Sequence, residues 1–290
     1  MDNTIKSDNP SGTLFIVATP MGNLEDISFR AIRILKEVDL IAAEDTRHSK
    51  RLLDHYEIQT RMVSCHEHNE EKKSLQLIEA LKTGQNIALI SDAGTPLISD
   101  PGYRLVTAAS DQGISIIPIP GCNAAITGLS VAGLPTDSFL FCGFLPKKTQ
   151  KQCQILEGLR LEKATLIFYE SPKRICAVIK RAQEILGNRR ACLAREITKL
   201  HEEYIRGDLS KILSVLELRE KVKGECVLYI HGAGDPPKMT PEQIEELILS
   251  KIKKDLGTGD LAREISLEYH LPKKQIYDTI LRLRQSDRSI

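Results

Sequence analysis

Short, nearly continuous apolar runs alternate with helical patterns over the first 134 residues. Runs of this kind, without polar alternation, are typical of strands buried on both faces of a parallel sheet. Five strands are predicted, at residues 13–18, 39–43, 62–64, 86–91 and 114–119. Helical spacing of apolar residues is clearest at Ile27, Ala31, Ile34, Leu35 and Val38. This region is therefore predicted to be a parallel α/β domain.

Leu134-Pro135-Thr136-Asp137 marks a boundary, beyond which strands and helices alternate again. Strands are predicted at 139–143, 165–169, 190–195, 203–206 and 225–231, with helices from 149, over 172–186 and over 209–218. Thr240, Pro241 and Gln243 form a strong helix start, because they supply a cap, a proline at the first position and a capping-box partner. The expected organisation is a disordered leader (1–11), an N-terminal parallel α/β domain (12–134), a second α/β domain (135–233) and a C-terminal helical domain (238–290).

The C-terminal pattern is similar to a helix-turn-helix. One helix has the apolar face Leu261, Ala262, Ile265 and Tyr269, and a second, restarted at Leu271-Pro272, carries Ile276, Ile280 and Leu283. The second helix is basic, with Lys273, Lys274, Arg282 and Arg284. Nucleic-acid binding, and use as a small bundle for dimerisation or docking, are equally compatible with this pattern.

Four of the first five strands end in loops rich in polar residues, glycine and proline, at residues 19–26, 44–48, 91–102 and 120–125. Carboxyl ends of parallel strands share one edge of a sheet, so these loops converge there. The loop at 91–102 is much longer than a tight turn requires, and such loops within a βα unit are usually functional. A ligand site is predicted at this edge.

Composition narrows the class of protein. The 290 residues are 41% hydrophobic and 27% charged, no apolar run reaches the length of a membrane span, and the first residues lack a signal-peptide core. Seven cysteines without a C-x-x-C pair favour a reduced, cytoplasmic protein. His66-Glu67-His68 lacks a third spaced ligand, so we expect a polar loop there and no metal site.

The net charge of +1 is unevenly distributed: −6 over residues 1–146, +8 over 147–199 and −1 over 200–290. The basic middle segment favours a contact with a polyanion as strongly as it favours ordinary solvated helix faces. The loops contain no G-x-G-x-x-G, Walker lysine or G-x-S-x-G pattern, which argues against common dinucleotide, P-loop and hydrolase sites.

Several loop segments carry a more specific signal. They read TPMGNLED at 19–26, AEDTR at 43–47, SDAGTPLISDPG at 91–102 and FLP at 144–146, supported by YESP at 169–172 with Arg174 and by REITK at 195–199. In this order, over essentially the whole chain, they resemble the tetrapyrrole-methylase superfamily of class III methyltransferases, and within it the enzymes that methylate small-subunit ribosomal RNA (rRNA).

The resemblance implies two α/β domains of the tetrapyrrole-methylase type with a cofactor cleft between them, plus a small C-terminal helical domain. It implies S-adenosyl-L-methionine (SAM) as cofactor, a homodimer, and the 2′-hydroxyl of a cytidine in the decoding region of 16S rRNA, within the small subunit, as substrate. Members that act on tetrapyrroles carry Gly-x-Gly-Pro-Gly-Asp after the first strand. The TPMGN sequence here argues against a porphyrin substrate.

Carried over by position, the cofactor contacts implied by the resemblance come from both domains. They are Pro20, Ser91, Asp92, Ala93, Gly94, Thr95, Pro96, Leu97, Ile98, Ser99, Cys122, Asn123, Ala124 and Ala125 in the first, and Phe168, Tyr169 and Ala194 in the second. Cys122 stands where the family has a proline, so its backbone N–H is available and the turn is less constrained.

A ribose hydroxyl is a weak nucleophile, so a nearby base is expected to help by about 10²–10⁴-fold. The candidates are Asp45, Asp92, Asp100 and Glu170. Within the long loop we expect Asp92 mainly to serve cofactor binding and Asp100 mainly the transfer step. Each has a structural alternative: Asp45 pairs with Arg47, Asp100 caps a helix, and Glu170 pairs with Lys173 or Arg174. Deprotonation by bulk water, without a protein base, is a further alternative.

The expected phosphate contacts are Arg47, Lys147, Lys148, Lys151, Lys173, Arg174 and Lys199, each with ordinary surface exposure as its alternative. Tyr169 could stack on a base, whereas core packing is favoured for Phe144. Two other functions stay open: a catalytically silent subunit-assembly factor, and a methylase of another substrate in the superfamily. The intact polar loops favour the enzyme.

Overall fold

The computed structural model describes residues 11–66, 69–234, 240–251, 257–269, 271 and 273–286. They form two compact units, the first ending at Ala233 and the second beginning at Gly234. Of the expected leader, residues 1–10 lie outside the described residues, as do Glu67 and His68 of the histidine cluster. No described helix combines the length and apolar character needed to cross a bilayer.

The first sheet is wholly parallel, as the apolar runs predicted, in the order β3-β2-β4-β1-β5. Its strands are β1 (Thr13–Val17), β2 (Leu40–Ala43), β3 (Met62–Ser64), β4 (Ile87–Ile90) and β5 (Ser115–Ile119). Its helices are α1 (Phe29–Glu37), α2 (Thr46–His55), α3 (Glu70–Lys82) and α4 (Tyr103–Asp111), and α5 (Ala124–Ala132) follows β5.

Two hydrophobic cores lie on opposite faces of this sheet. Val17 and Ile90 pack with Leu35 of α1 on one face, while Leu14 and Leu89 pack with α3 and α4 on the other. Successive strand side chains alternate between faces, so a sheet covered on both sides requires apolar residues at every position. This is why the strands are continuous apolar runs in the sequence.

The second sheet is mixed, in the order β6-β7-β10-β8-β9, with β6 parallel to β7 and the other pairs antiparallel. Its strands are β6 (Phe139–Phe144), β7 (Thr165–Glu170), β8 (Arg190–Arg195), β9 (Glu203–Asp208) and β10 (Cys226–Ile230). Helices α6 (Thr149–Gly158), α7 (Ile175–Leu186) and α8 (Leu209–Glu217) connect them, and α7 and α8 pack with Phe168 and Leu228 in a core on one face.

The opposite face of the second sheet packs against α5. Ala125 and Leu129 of α5 share a buried cluster with Val227 and Tyr229 of β10. The Tyr229 hydroxyl donates a hydrogen bond to the Ala124 carbonyl at 2.8 Å, and a Cβ at Gly128 would lie 2.1 Å from that hydroxyl. Helix α5 therefore links the first domain to the second sheet, and glycine at 128 permits the close approach.

The predicted elements match the structure to within a few residues. Helix α2 begins at Thr46, because the Asp45 carboxylate caps it by accepting a hydrogen bond from the Arg47 N–H at 2.8 Å.

The second unit is three helices, α9 (Pro241–Lys251), α10 (Thr258–Tyr269) and α11 (Lys273–Ser286). Its core comprises Ile244, Ile248, Leu261, Ala262, Ile265, Ile276 and Ile280. The predicted capping box is confirmed: Gln243 N–H donates to Thr240 Oγ1 at 3.3 Å, and Thr240 N–H donates to Gln243 Oε1 at 3.0 Å. Pro272 and the side chain of Tyr269 lie outside the described residues.

Candidate active site

A cavity of about 450 Å³ lies between the two sheets, at the carboxyl edge of the first. This volume is within the usual range for small-molecule sites. From the first domain it is lined by Met21, Glu44, Asp92, Ala93, Gly94, Thr95, Ile98, Ser99, Asp100, Asn123 and Ala124. From the second it is lined by Phe144, Tyr169, Glu170, Ser171, Pro172, Ile197, Glu225, Cys226 and Val227. All four loops predicted to converge contribute to it.

Hydrogen bonds tie these loops to one another. Thr19 and Gly94 form an antiparallel bridge, with N···O distances of 2.8 and 2.9 Å, which joins the loops after β1 and β4. The Thr95 hydroxyl donates to the Cys122 carbonyl at 2.8 Å, and Asp92 Oδ1 accepts from the Asp45 N–H at 3.1 Å. The long loop is thus held against its three neighbours, and the turn at Cys122 is anchored without the family proline.

Backbone strain is concentrated around the cavity. Leu97 and Ser99 have φ values of 72° and 69°, and Glu196 and Thr198, in the loop after β8, have 51° and 66°. Non-glycine residues in this left-handed region cost of order 1–3 kcal/mol each and persist where the surrounding structure over-determines them. Such residues cluster at functional sites, and both segments flank the same cavity.

Three carboxylates, those of Glu44, Asp92 and Asp100, lie on one wall. Burial raises the pKa of Asp100 to about 6; nearby Glu44 adds to the rise, hydrogen bonding by Ser91 opposes it, and Asp92 contributes least. Burial, followed by the charge of Asp92, also raises the pKa of Glu44. The wall therefore concentrates more negative charge than its surroundings stabilise, and a cationic ligand would relieve the repulsion.

Asp100 does not cap α4. The helix-capping role that was the alternative to catalysis is therefore excluded. The N-cap residue is Gly102, and the N–H groups of Gly102 and Arg104 donate instead to Glu70 Oε1, at 3.1 and 2.8 Å. The Asp100 side chain is left facing the cavity. Asp100 is thus a predicted catalytic residue that the structure places at the site.

The predicted catalytic role of Asp45 requires a correction. Its carboxylate caps α2 and pairs with the exposed Arg47 guanidinium at 2.8 Å, which holds the pKa of Asp45 at about 2. Its side chain does not line the cavity, whereas that of Glu44, one residue earlier, does. The structure therefore supports the ion-pair interpretation of Asp45, and Glu44 takes the position we had assigned to it.

Glu170 lines the cavity but is already held by protein partners. Its Oε2 lies 3.0 Å from Nη2 of Arg174, and its Oε1 accepts from the Ser171 N–H at 2.7 Å. The same Arg174 nitrogen donates to the carbonyls of Leu145 and Pro146 at 2.7 and 3.1 Å. Arg174 therefore secures the loop after β6. Its described contacts are with the protein itself, and they do not support the predicted role as a phosphate contact.

Tyr169 and Phe144 form an aromatic wall. Their rings meet edge to face with centroids 5.6 Å apart, and the Tyr169 hydroxyl oxygen accepts from the Ala125 N–H at 3.2 Å. Phe144 is 56% exposed, so the core packing favoured from the sequence is wrong. Its exposed ring offers a surface on which a base could stack.

Phe168 and Ala194 are not part of the wall. Phe168 is 1% exposed and packs with α7 on the opposite face of the second sheet, away from Tyr169. Ala194 is fully buried in the cluster beneath α5. Six other predicted cofactor residues lie in the loops but do not line the cavity. They are Pro20, Ser91, Pro96, Leu97, Cys122 and Ala125.

Sequence reasoning missed several lining residues, namely Met21, Glu44, Ile197, Glu225, Cys226 and Val227. Glu44 directly follows β2, so the rule that ligands bind beyond strand ends would have identified it. Residues 225–227 belong to an antiparallel stretch with no local motif, and only the pairing of β10 with β7 and β8 brings them to the cavity.

The predicted phosphate contacts divide into two groups. Lys199 is occupied: its ammonium lies 3.0 Å from Glu196 and 3.1 Å from Glu225, and its stem packs on Gly22. Lys147, Lys148, Lys151 and Lys173 are exposed, and so is Arg47, although its guanidinium is paired with Asp45. Lys151 also lines a shallow groove with Phe144 and Pro146.

Within the described ranges, no group of three or more His, Cys, Asp or Glu side chains is arranged to hold a metal ion.

Comparison with known proteins gives the family. The model of the Tetrapyrrole (Corrin/Porphyrin) Methylases matches residues 13–213. A ribosomal RNA small subunit methyltransferase I of Halalkalibacterium halodurans is 48% identical over 275 residues, covering 92% of this chain and 94% of the relative. The Synechocystis sp. protein of the same name is 44% identical over 275 residues, covering 94% and 98%.

The fold agrees with these matches. The uroporphyrin-III C-methyltransferase of Thermus thermophilus, solved with S-adenosyl homocysteine, superposes with a TM-score of 0.53 at 16% identity, covering 76% of this chain and 97% of that one. Fold and cavity together define a SAM-dependent methyltransferase of two α/β domains. The chain belongs to the tetrapyrrole methylase family and, within it, to the group of ribosomal RNA small subunit methyltransferases I.

The residues around the cavity fit SAM, whose sulfonium and ammonium groups are both positive. Glu44, Asp92 and Asp100 line the cavity with carboxylates that would face these charges, and Ile98 and Val227 line it with apolar surface that would suit an adenine ring. In the first turn of α5, the Ala125 N–H already donates to the Tyr169 hydroxyl, and the Asn123 side chain caps the helix by accepting from the Ile126 N–H at 3.2 Å.

Proposed function

We propose that this protein transfers the methyl group of SAM to the 2′-hydroxyl of a cytidine in the decoding region of 16S rRNA, within the assembled small subunit. The observation that carries the proposal is the half-buried carboxyl of Asp100, at the wall of a cavity that fits SAM. The names of the 48% and 44% identical relatives support small-subunit rRNA as the substrate.

The reaction is an in-line displacement in which a ribose oxygen forms a bond to the methyl carbon while the carbon–sulfur bond breaks. When bound, SAM supplies the electrophilic methyl group. Asp100, with a pKa of about 6, is mostly ionised at neutral pH and is a suitable acceptor for the hydroxyl proton. The Glu170–Arg174 pair keeps the second domain's wall in place. Alignment and exclusion of water account for the remaining rate enhancement.

RNA binding is proposed at the rim of the cavity. Its acidic wall repels phosphates, so the backbone is held outside it while one nucleotide reaches inward past Phe144. The exposed side chains of Lys147, Lys148, Lys151 and Lys173 supply the phosphate contacts. All four lysines belong to the segment 147–199, whose net charge is +8.

The test is transfer of labelled methyl groups from SAM to small subunits isolated from cells that lack this activity, with naked 16S rRNA as a second substrate. The expected product is one 2′-O-methylated cytidine in the decoding region. Label on a base, label at another site, or SAM binding without any transfer would contradict the proposal. Calorimetry with SAM alone separates a failure of cofactor binding from a failure of transfer.

We also propose that the protein is a cytoplasmic homodimer, as members of the family usually are. Exposed apolar side chains on edge strand β6 and helix α5 support an interface there; they are Phe139, Leu140, Ile126 and Val131. Light scattering should give twice the mass of the chain, and charged substitutions at Phe139 and Ile126 should shift it toward the monomer.

A further inference from the structure

Charge is segregated among the three helices of the second unit. Helix α11 carries four basic residues and one acidic residue, whereas α9 and α10 each have a net charge of −2. Of these three helices α11 alone has a net positive charge, although the whole protein is close to neutral. Segregation of this kind is the electrostatic footprint of a surface that meets a polyanion.

The four basic residues of α11 serve two different purposes. Arg282 pairs with Glu245 of α9, and Arg284 Nη1 lies 3.0 Å from the Thr258 hydroxyl of α10, so both arginines hold the bundle together. Lys273 and Lys274 are exposed, and no ion pair joins either to another residue in the part of the chain that the structure describes. They lie in the first turn, where positive charge opposes the helix dipole, so they are not placed there for helix stability.

The outer side of α11 also presents apolar surface. Ile276 and Ile280 are fully buried in the bundle, while Tyr277 and Leu281, one turn apart, are 39% and 37% exposed. Lys274, Asp278 and Arg282 line a shallow groove on the helix surface. A lysine pair beside an exposed aromatic ring combines the two elements with which proteins bind RNA: cations for phosphates and a ring on which a base stacks.

We propose that the outer face of α11, comprising Lys273, Lys274, Tyr277 and Leu281, binds rRNA of the small subunit. The lysines contact phosphates, and the Tyr277 ring stacks on an unpaired base. The proposal rests on the proposed function for the identity of the RNA. A second copy of the chain is a poorer occupant, because a two-fold interface would place this positive surface against itself.

The test uses the full chain and the double variant Lys273→Gln/Lys274→Gln, which removes two charges without disturbing the core. Binding to small subunits is measured at several salt concentrations. Loss of two contacts to single-stranded phosphates should reduce the salt slope by about 1.4 and weaken binding about tenfold at 0.15 M salt. The affinity for SAM and the rate at saturating subunits should stay unchanged.

A matched control is Lys36→Gln/Lys82→Gln, which removes two exposed charges from the last turns of α1 and α3, at the edge of the first sheet opposite the cavity. It should leave the slope unchanged. Tyr277→Ala should weaken binding at constant slope, and Tyr277→Phe should restore it, since stacking needs the ring and not the hydroxyl.

Unchanged affinity and slope in the lysine variant would overturn the inference. So would unchanged subunit binding combined with a lower oligomeric mass, because the face would then be a contact between copies. If the wild-type protein binds subunits through this face but transfers no methyl group, the proposed function fails and the inference stands. If the wild-type protein transfers the methyl group normally and the lysine variant binds subunits as well as the wild type does, the proposed function stands and the inference fails.

Discussion

At the scale of single residues, the site depends on how charge is placed on one wall. Asp92 and Asp45 sit in loops of similar composition, yet Asp92 ties two loops together while Asp45 is neutralised by Arg47. Among the residues that the structure describes, no basic side chain pairs with Asp100 in this way, and burial raises its pKa to about 6. Its charge is therefore available to a cationic cofactor or to a hydroxyl proton.

This arrangement predicts a pH dependence of SAM binding. A cation stabilises the ionised form of Asp100, so the pKa falls on binding and protons are released. Below about pH 6 the Asp100 carboxyl is protonated, so the affinity for SAM decreases by up to tenfold for each pH unit. Above about pH 6 the affinity for SAM is constant. Calorimetry in buffers of different ionisation enthalpy measures the released protons. Asp100→Asn should remove this dependence, and a dependence that persists in the variant would assign it to Glu44.

Asp100→Asn should also slow methyl transfer by about 10²–10⁴-fold at saturating SAM and subunits, because an amide cannot accept the hydroxyl proton. Single-turnover rates at saturation separate this loss from weaker cofactor binding. Glu71→Gln is the matched control, since Glu71 is an exposed carboxylate that pairs with Arg104 and does not line the cavity. A single-turnover rate within threefold of the wild type would exclude Asp100 as the base and favour deprotonation by water.

Tyr169 joins the two domains through one hydrogen bond, from the Ala125 N–H to its hydroxyl. Tyr169→Phe leaves that N–H without its partner while keeping the ring, and we expect a loss of about 0.5–1.5 kcal/mol in the free energy of unfolding. For a unit of this size the melting temperature should fall by about 1–6 °C. Tyr103→Phe is the control, because Tyr103 is 72% exposed. Equal melting temperatures for the two variants would show that the bond is not formed in solution.

At the scale of elements, α5 is the piece on which both domains depend. Its first turn faces the cavity, and its middle packs on the second sheet through Gly128. Alanine normally favours a helix over glycine by about 1 kcal/mol. Here the close approach of the Tyr229 ring outweighs that preference.

Gly128→Ala should therefore destabilise the protein by about 1–3 kcal/mol, since the new methyl group would displace Tyr229. Thermal or denaturant unfolding measures the change. The matched substitution is Gly158→Ala at the end of α6, where a Cβ meets no atom within 4 Å. It should be neutral or stabilising, and a similar loss at both positions would contradict the packing argument.

At the scale of the whole molecule, an acidic cavity has to receive a polyanionic substrate. The first 146 residues carry a net charge of −6, and the exposed lysines at 147, 148 and 151 follow directly. We interpret this boundary as the division between the part of the chain that binds the cofactor and the part that binds RNA. The cation bound inside and the lysines outside together offset the repulsion of phosphate.

Lys147→Gln/Lys148→Gln should accordingly weaken subunit binding about tenfold at 0.15 M salt and reduce the salt slope by about 1.4, with SAM affinity unchanged. The measurement is the KM for small subunits across a salt series. The Lys36→Gln/Lys82→Gln variant again serves as the control for net charge. An equal shift in both variants would mean that the total charge, rather than this rim, governs binding.

The sequence by itself determined the local structure of this protein and the edge at which its ligand binds. Continuous apolar runs require a sheet covered on both faces, and loops after parallel strands must meet at one edge. Asn123, Asp92 and Asp100 were placed at the site by this reasoning, together with the loop motifs of the family. These features depend on neighbouring residues in the chain, so the chain alone carries them.

Only the tertiary structure decided which of two adjacent side chains faces the cavity. Phe168 and Tyr169 point to opposite faces because strand side chains alternate, and the register of β7 with β10 selects Tyr169. Residues 225–227 reach the site through antiparallel pairing over a long sequence separation. The pKa of Asp100 likewise depends on burial by loops from several strands and on Glu44. Burial and long-range pairing are properties of the folded molecule, which is why no local pattern contained them.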